Sequence, residues 1–352
     1  MKVYENKLYQ EDVQRVASLA LPWNQLRNRS ILLSGGGGLV GSCLIDVLMY
    51  KNACDGLNCK IYTLGRNAEK ALARFEYCKD DNLFEFIAHD INTPLSLDVE
   101  KVDYVLHMAS NTHPLAYAND PIGTITTNII GTNNMLQFAV THKAKRFAFA
   151  SSNEIYGENR GDCEFFDEAY CGYINSNTLR AGYPESKRCG EALCQAYQKQ
   201  TGLDVVLPRL TRSYGPTMLL SDTKAISQFL KKGLYGEDVV LKSAGTQYYS
   251  YTYVSDAVSG LLTVLLCGES GEAYNIADVS GDIMLKDLAQ IIASSAGKKV
   301  VFELPDAVEQ SGYSTATKAR LSGEKIKALG WSAAYNIQEG IERTLTILKE
   351  IY

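Results

Sequence analysis

The stretch that decides the fold is ILLSGGGGLVGSCLIDVLM, residues 31–49. An apolar run of strand length passes into four glycines and then directly into a segment that favours a helix. Gly35, Gly38 and Gly41 form a G-x-x-G-x-x-G motif. One glycine permits the tight turn, one lets the backbone approach a pyrophosphate, and one lets helix and strand pack closely. The stretch therefore predicts a dinucleotide-binding loop whose phosphates lie at a helix N-terminus.

Downstream of this stretch, short apolar runs alternate with longer segments of helical period. Runs such as DYVLHMA and RFAFAS are apolar without alternation, as expected of strands buried on both faces of a sheet. Six such strands, joined by helical segments, predict an α/β fold with a doubly wound (Rossmann) parallel sheet. The candidate strands are 30–34, 59–64, 84–88, 103–109, 146–151 and 203–209.

The chain divides into three parts in this interpretation. Residues 1–29 form an N-terminal helical extension, in which EDVQRVASL is amphipathic and Trp23 anchors the segment to the body. Residues 30–213 form the dinucleotide-binding Rossmann domain, and 214–352 form a smaller mixed α/β lobe that binds the substrate. We expect 250–277 to return to the Rossmann domain. The helices predicted for the second half are 222–235, 255–267, 284–296 and 337–350.

The composition is that of an ordinary globular protein, because 46% of the residues are apolar, enough for a substantial core. The net charge is −5, and lysine and arginine are dispersed, so the sequence has no basic patch of the kind that binds nucleic acid or an anionic membrane. We therefore expect a small-molecule partner. A secretory signal and a membrane-spanning run are both missing, which favours a cytoplasmic protein. Nine cysteines without a CxxC pair, and four histidines without ligand spacing, indicate neither a disulfide framework nor a metal site.

The residues after the second and third strands bear on the choice of dinucleotide. The segment IYTLGRN carries no acidic residue to bind a ribose 2′-hydroxyl, and Arg66 stands there instead. An arginine can bind a 2′-phosphate, which leans slightly toward NADP, but a solvated Arg66 fits the pattern equally well and NAD stays open. Asp90 and Ile91, after the third strand, are placed to contact the adenine.

A Tyr/Lys pair is the candidate catalytic centre. In RAGYPESKRCGEALCQAYQKQTG, Tyr183 and Lys187 lie four residues apart at the start of a helical segment, so their side chains share one face. A free tyrosine, with a pKa of about 10, is a poor base at neutral pH. The Lys187 ammonium, with an oxidised nicotinamide close by, is expected to lower that pKa. Tyr183 would then take a proton from a sugar hydroxyl as hydride leaves the same carbon.

Polar residues follow the strand that precedes this pair. The run RFAFASSNEIYGE ends its apolar part at Ser152 and continues to Glu154. Ligands of such sheets bind at the carboxyl ends of the strands, so Ser152 can hydrogen-bond the oxygen that Tyr183 addresses. Glu154 is a candidate for a second proton transfer at a neighbouring carbon.

Taken in order, these motifs resemble the extended short-chain dehydrogenase/reductases, also called the NAD-dependent epimerase/dehydratase family. The resemblance runs from about residue 30 to the C-terminus, through SGGGGLVGS, DYVLHMAS, NDPIGTITTNIIGTNNML, FAFASSNEIYG, YPESK, PRLTRSYGP, YTYVSDAV, EAYNIAD and ALGW. Within the family, the stretch from FAFASSNEIYGE to GYPESKRCGEALCQAYQKQTG looks most like the UDP-glucuronate decarboxylases and next like the dTDP-glucose 4,6-dehydratases.

The resemblance implies redox-neutral modification of a nucleotide-activated sugar by decarboxylation, dehydration or epimerisation. Hydride would leave C4, a transient 4-keto sugar would react at a neighbouring carbon, and hydride would return from a tightly bound, recycled cofactor, NAD or NADP. By the same resemblance Tyr183 is the base and Lys187 its electrostatic and ribose-binding partner. Ser152 orients the sugar oxygen, and Glu154 is the acid/base. The dehydratases have Asp-Glu where this chain has Asn153–Glu154, which argues against 4,6-elimination.

Two positions of the expected substrate pocket depart from the family pattern. Arg212 stands where the family usually has an asparagine, and Tyr249 where it usually has an arginine that grips the diphosphate. One interpretation moves the cation from position 249 to 212, with Lys224 as a second candidate. The other is a substrate that is no ordinary UDP-sugar, such as a differently activated sugar or a polyol or keto-sugar derivative.

These interpretations define the expected site. The expected dinucleotide contacts are Gly35, Gly38, Leu39, Val40, Gly41, Arg66, Asp90, Ile91, Ala109, Asn128, Tyr183 and Lys187. The expected substrate contacts are Ser110, Asn153, Arg212, Lys224 and Tyr249. An alternative function is a net NAD(P)H-dependent reductase or dehydrogenase that acts on an activated sugar or polyol derivative and releases its dinucleotide. Family members are often dimers, so we expect a homodimer that pairs 124–142 and 184–200.

Overall fold

A large parallel sheet organises the fold in the computed structural model, which describes residues 1–112, 114–303 and 317–352. The strands of this sheet and of the smaller sheets are β1 (Ser30–Ser34), β2 (Lys60–Gly65), β3 (Phe84–Ala88), β4 (Tyr104–His107), β5 (Arg146–Phe149), β6 (Ser151–Ser152), β7 (Val205–Leu210), β8 (Arg212–Tyr214), β9 (Val239–Leu241), β10 (Tyr248–Tyr253), β11 (Ala273–Ile276), β12 (Asp282–Met284), β13 (Val300–Phe302) and β14 (Lys318–Ala319).

The large sheet has the order β11-β7-β5-β4-β1-β2-β3, with β6 paired to β7. Every pair in it is parallel. The predicted doubly wound sheet is therefore confirmed, and the six predicted strands correspond to β1 to β5 and β7. The strand predicted at 146–151 is divided, because the chain leaves β5 after Phe149 and continues as the short β6.

Helices cover both faces of this sheet. The helices of the described chain are α1 (Lys7–Ala17), α2 (Leu39–Asp55), α3 (Ala68–Arg74), α4 (Pro114–Asn119), α5 (Pro121–Thr126), α6 (Thr132–Thr141), α7 (Gly182–Thr201), α8 (Ala225–Leu234), α9 (Val254–Cys267), α10 (Leu285–Ser295), α11 (Glu324–Lys327) and α12 (Ile337–Ile351), with a π-helical turn at Thr127–Gly131. One apolar cluster includes Leu44 and Leu262 of α2 and α9, and another includes Leu136 and Cys194 of α6 and α7. The strands are thus buried on both faces. Within the described ranges, no helix combines the length and apolarity needed to cross a bilayer.

The N-terminal extension contains the predicted helix, α1, which packs against α2 and α9. Trp23 is buried close behind it, as expected of an anchor residue. Tyr9 of α1 donates a hydrogen bond to Asp46 of α2 at 2.6 Å, and Tyr253 donates to Asp12 of α1 at the same distance. Both carboxylates are fully buried, so these bonds fix the extension on the body of the protein.

The second half of the chain adds two short sheets. Strand β10 pairs in parallel with β8 and β14 and antiparallel with β12, and β9 pairs in parallel with β13. The four helices predicted for this half are confirmed as α8, α9, α10 and α12. Helix α9 packs on β7, and β11 pairs with β7, so these two elements lie on the large sheet.

Candidate active site

A cavity of about 1340 Å³ lies where the carboxyl edge of the large sheet meets the smaller sheets. Doubly wound sheets bind their ligands at this edge. The sequence-predicted residues that line the cavity are Gly35, Gly38, Leu39, Val40, Gly41, Arg66, Asp90, Ile91, Ala109, Ser110, Ser152, Asn153, Glu154, Tyr183, Lys187, Arg212, Lys224 and Tyr249. The residues predicted for the dinucleotide and those predicted for the substrate therefore share one cavity.

Asn128 is a predicted dinucleotide contact that is not among the residues lining the cavity. Its side chain is fully buried in the π-helical turn and donates to Ser186 Oγ of α7 at 2.9 Å. Ser186 in turn donates to the Tyr183 carbonyl at 2.8 Å. Asn128 Oδ1 is buried without a hydrogen-bond partner among the described residues, so direct contact of Asn128 with the dinucleotide stays a prediction. Through its hydrogen bond to Ser186, Asn128 supports the backbone of Tyr183.

The glycine loop has a backbone that excludes a side chain at two positions. Gly35 has φ +79°, and a Cβ there would lie 2.8 Å from the Ala109 amide nitrogen. A Cβ on Gly41 would lie 2.4 Å from the Gly35 carbonyl oxygen, because the first turn of α2 packs directly on the loop. The loop therefore brings bare backbone to the cavity, as the sequence motif predicts.

The N-terminus of α2 opens into the same cavity. Gly38 is its N-cap and has no side chain to occupy the free N–H groups of the first turn, which belong to Leu39, Val40 and Gly41. Such a cradle, with the partial positive charge of a helix N-terminus, suits a pyrophosphate. The residues present thus fit a nicotinamide dinucleotide.

The end of the cavity beyond β2 and β3 is the predicted adenosine end. Arg66 follows β2 and is exposed at the rim, with Lys70 of α3 also lining the wall. Asp90 accepts a hydrogen bond from the Asn92 amide at 3.0 Å, which turns the chain after β3, and Ile91 is buried. Arg66 and Lys70 therefore give this end of the cavity a cationic rim.

Tyr183 and Lys187 lie on one face of the first turns of α7, as predicted, and both are buried. Lys187 Nζ donates to the Ala150 carbonyl at 2.8 Å and lies 6.0 Å from the centroid of the Tyr183 ring. Burial lowers the pKa of Lys187 to about 7. Burial, with the Glu154 carboxylate adding to it, raises the pKa of Tyr183. Desolvation disfavours the charged form of both groups, and the lower pKa of Tyr183 expected beside a bound oxidised nicotinamide stays a prediction.

Ser152 stands beside this pair at the end of β6. Its residue pairs in register with Leu210 of β7, and its hydroxyl caps the turn that follows by accepting from the Glu154 amide at 3.2 Å. Hydrogen bonding to Ser152 opposes the rise in the pKa of Tyr183 that burial causes. The hydroxyl and the phenol are thus directed at the same region of the cavity.

Glu154 is held by Arg180, a residue that sequence reasoning missed. Arg180 Nη2 donates to Glu154 Oε2 at 2.5 Å, and its guanidinium carbon lies 4.8 Å from the centroid of the Tyr117 ring. The rings of Tyr117 and Tyr183 stack with centroids 5.0 Å apart. One carboxylate, one guanidinium and two phenols therefore form a single cluster, and all four residues line the cavity.

The predicted substrate cations have different surroundings. Lys224 Nζ donates to Asp222 at 2.9 Å and to Thr112 Oγ1 at 3.2 Å, which connects the start of α8 to the loop after β4. The Arg212 guanidinium carbon lies 3.6 Å from the centroid of the Tyr249 ring. The two positions that depart from the family pattern are therefore in direct contact.

The chain belongs to the NAD dependent epimerase/dehydratase family, whose model matches residues 31–277. UDP-glucuronic acid decarboxylase 5 of Arabidopsis thaliana is 33% identical over 320 residues, 89% of this chain and 87% of that protein. UDP-glucuronic acid decarboxylase 1 of Danio rerio is 33% identical, over 90% of this chain and 72% of that protein. A crystal structure of dTDP-glucose 4,6-dehydratase from Streptomyces venezuelae with NAD bound superimposes with a TM-score of 0.78 at 25% identity, covering 91% of this chain and 97% of that one. The resemblance inferred from motif order is confirmed.

Proposed function

We propose that this protein decarboxylates a nucleotide-activated uronic acid through a transient 4-keto sugar, without net oxidation or reduction. The observation that carries the proposal is the cluster of Glu154 and Arg180 against Tyr183 inside the cavity. Arg180 Nε is buried and has no hydrogen-bond partner in the described chain. A guanidinium with a spare donor suits a substrate carboxylate. The similarity to UDP-glucuronic acid decarboxylases supports the same reaction.

In this proposal, Tyr183 and Ser152 both contact the sugar oxygen at C4. The Tyr183 phenolate takes the O4 proton, while the Ser152 hydroxyl holds the same oxygen in place. When bound, the dinucleotide supplies the acceptor for the C4 hydride and later its donor. We propose NAD, recycled without leaving, in line with the family description and with NAD in the Streptomyces venezuelae enzyme.

The next steps occur at C5 and C6. The C4 carbonyl is β to the C6 carboxylate, so the C5–C6 bond breaks, carbon dioxide leaves, and the bonding electrons form an enolate between C4 and C5. The Tyr183 hydroxyl hydrogen-bonds the enolate oxygen, and Glu154 relays a solvent proton to C5. The proton on Tyr183 finally returns to O4.

Asn153 supports decarboxylation over 4,6-dehydration. A dehydratase must protonate the hydroxyl that departs from C6, and the amide of Asn153 cannot donate that proton as a carboxylic acid would. Asn153 is buried and lines the cavity. The acid that 4,6-elimination needs is missing at this position.

Turnover without added cofactor tests the proposal. Purified protein is mixed in turn with UDP-glucuronate, UDP-glucose and dTDP-glucose, and the products are followed by NMR and by carbon dioxide release. We expect only the uronic acid to be consumed, with one carbon dioxide per product. Mass spectrometry of the extracted dinucleotide distinguishes NAD from NADP. Strict dependence on stoichiometric added NADPH would contradict the proposal and favour a net reductase that uses Arg66.

We also propose that the protein is a homodimer. Ile122 of α5 is 76% exposed, and Ile130 of the π-helical turn is 44% exposed, although both lie in the region predicted to pair with its copy or directly before it. Ile125, between them, packs near the start of α7. A strip of exposed isoleucine on a helical surface is suited to burial against a second copy.

A further inference from the structure

Arg212 differs from Arg180 in having no carboxylate partner among the residues that the structure describes. It begins β8, in register with Tyr251 of β10, and its guanidinium stacks on Tyr249 at 3.6 Å. Its Nη1 is buried without a hydrogen-bond partner among the described residues. A buried donor without a partner destabilises the fold unless a ligand satisfies it.

Three other cations that line the same cavity pair with carboxylates. Arg180 is bonded to Glu154, Lys224 to Asp222, and Lys232 to a glutamate that follows α8. Within the described ranges, no carboxylate lies at ion-pairing distance from Arg212. Since Arg212 lines the cavity, the missing counter-ion has room to be a bound anion.

The position of Arg212 in the fold places it next to the catalytic groups. Ser152 pairs in register with Leu210 at the end of β7, and Arg212 begins β8 two residues further along the chain; Ser152 and Arg212 both line the cavity. The contact with the Tyr249 ring restricts the guanidinium, and Nη1, which has no partner among the described residues, is available to donate. Parallel N–H donors in one plane match two oxygens of a phosphate.

We propose that Arg212, held flat by Tyr249, binds the phosphate that links the sugar to its nucleoside. The inference rests on the proposed function, in which the substrate is a nucleotide sugar. Arg180 is assigned to the carboxylate of that sugar because it contacts Glu154 and Tyr117 beside Tyr183. The phosphate is then the substrate anion left for Arg212.

Binding of a nucleoside diphosphate without a sugar tests the proposal. Isothermal titration with UDP, dTDP and GDP in turn identifies the one that the wild-type protein binds. Arg212→Gln should weaken that affinity at least tenfold, and Arg212→Lys should weaken it less, because a lysine keeps the charge but not the planar fork. Tyr249→Leu should also weaken it, whereas Tyr249→Phe, which keeps the stacked ring, should not.

Arg320 provides a matched control. Its guanidinium also stacks on aromatic rings, 4.3 Å from Phe165 and 4.4 Å from Tyr248, but it pairs with Glu164 and is not among the residues that line the cavity. Arg320→Gln should leave the affinity for the diphosphate unchanged. Circular dichroism of each variant checks that it is folded.

A double variant tests whether affinity for the diphosphate can be regained as well as lost. Because Arg212 contacts the ring of Tyr249, an arginine placed at 249 can reach the same space. Arg212→Asn combined with Tyr249→Arg should recover at least part of the affinity that Arg212→Asn alone loses. Affinity unchanged in folded Arg212→Gln would overturn the inference and leave the proposed function standing. Loss confined to UDP-glucuronate, with UDP unaffected, would also overturn it. A wild-type protein that binds none of the diphosphates would contradict both.

Discussion

Tyr183 and Lys187 share one helical face, yet burial acts on each of them in opposite ways. It lowers the pKa of Lys187 to about 7 and raises that of Tyr183, so near neutral pH a neutral phenol stands beside a partly protonated amine. A positive charge brought close to both by an oxidised nicotinamide favours the phenolate. In the proposed mechanism, proton abstraction by Tyr183 would therefore depend on the presence of oxidised dinucleotide.

The lowered pKa of Lys187 makes stability depend on pH. Unfolded lysine keeps its proton up to about pH 10.4, whereas folded Lys187 loses it near pH 7. Unfolding therefore takes up a proton between these values, and stability rises with pH across the interval. Relative to Lys187→Met, the wild-type protein should gain about 2 kcal/mol of unfolding free energy between pH 7 and pH 9, since each unit of pKa difference is worth about 1.4 kcal/mol. Urea denaturation at both pH values measures this, and a constant difference between the two proteins would refute it.

Glu154→Gln should separate the first step from the later ones. The amide cannot relay a proton, so C5 would not be reprotonated, but Tyr183 could still take the O4 proton while a bound oxidised dinucleotide would accept the C4 hydride. We expect reduced nicotinamide to accumulate on addition of substrate and product formation to fall at least a hundredfold. Absorbance of the reduced nicotinamide and NMR of the sugar measure the two effects.

Tyr183→Phe is the matched control for that experiment. It should show neither reduced nicotinamide nor product, while its dinucleotide content stays near that of the wild-type protein. Normal product formation by Glu154→Gln would reduce Glu154 to a structural carboxylate. Activity retained in Tyr183→Phe would remove that residue from the mechanism.

Residues of the candidate catalytic centre could be predicted from sequence where a pattern of neighbouring residues indicates them. Tyr183 and Lys187 lie one helical turn apart, and Ser152 follows an apolar strand, so periodicity alone places them. Tyr117 stands 66 residues before Tyr183, and no pattern along the chain indicates that their rings stack. Arg180 precedes Tyr183 by one turn and could have been suspected as a cation on the same face. Its pairing with Glu154 depends on the tertiary fold.

The elements of the large sheet were also predictable, for a different reason. Strands buried on both faces are uniformly apolar, and that composition separates them from the periodic helices on either side. The break between β5 and β6, and the π-helical turn, leave no comparable signal. The hydrogen bond from Asn128 of that turn to Ser186 likewise depends on the tertiary fold.

The packing of α2 on the glycine loop gives a prediction for that element. A methyl group on Gly41 would meet the Gly35 carbonyl oxygen at 2.4 Å, so Gly41→Ala forces the first turn of α2 away from β1. We expect a loss of about 1–3 kcal/mol in unfolding free energy, together with loss of bound dinucleotide. Chemical denaturation and extraction of the cofactor measure these effects.

Gly37 offers the control within the same loop. A Cβ there would meet no protein atom within 4 Å. Gly37→Ala should therefore change the unfolding free energy by less than about 0.5 kcal/mol. Equal destabilisation of the two variants would show that the loop responds to any lost flexibility and that close packing at Gly41 is not the cause.

At the scale of the whole molecule, the N-terminal extension is joined to α2 and the segment around α3 through the buried carboxylate of Asp46. Asp46 of α2 accepts hydrogen bonds from Tyr9 of α1 and from Arg74 and Tyr77 at the end of α3. Met1, Lys2 and Val3 line the cavity near this network. The extension is therefore part of the wall around the dinucleotide site. Its helix was predictable from its amphipathic pattern, whereas its partners were not.

The exposed isoleucines of the helical surface before α7 give a prediction for the assembly. If Ile122 and Ile130 are covered by a second copy, two lysines there place unpaired charge in an apolar interface. Ile122→Lys combined with Ile130→Lys should therefore convert a dimer to a monomer at micromolar concentration in sedimentation velocity. Val279, also exposed but on a turn after β11, is the control, and Val279→Lys should remain dimeric. A wild-type protein that sediments as a monomer would contradict the assembly. A double variant that stays dimeric would move the interface to another surface.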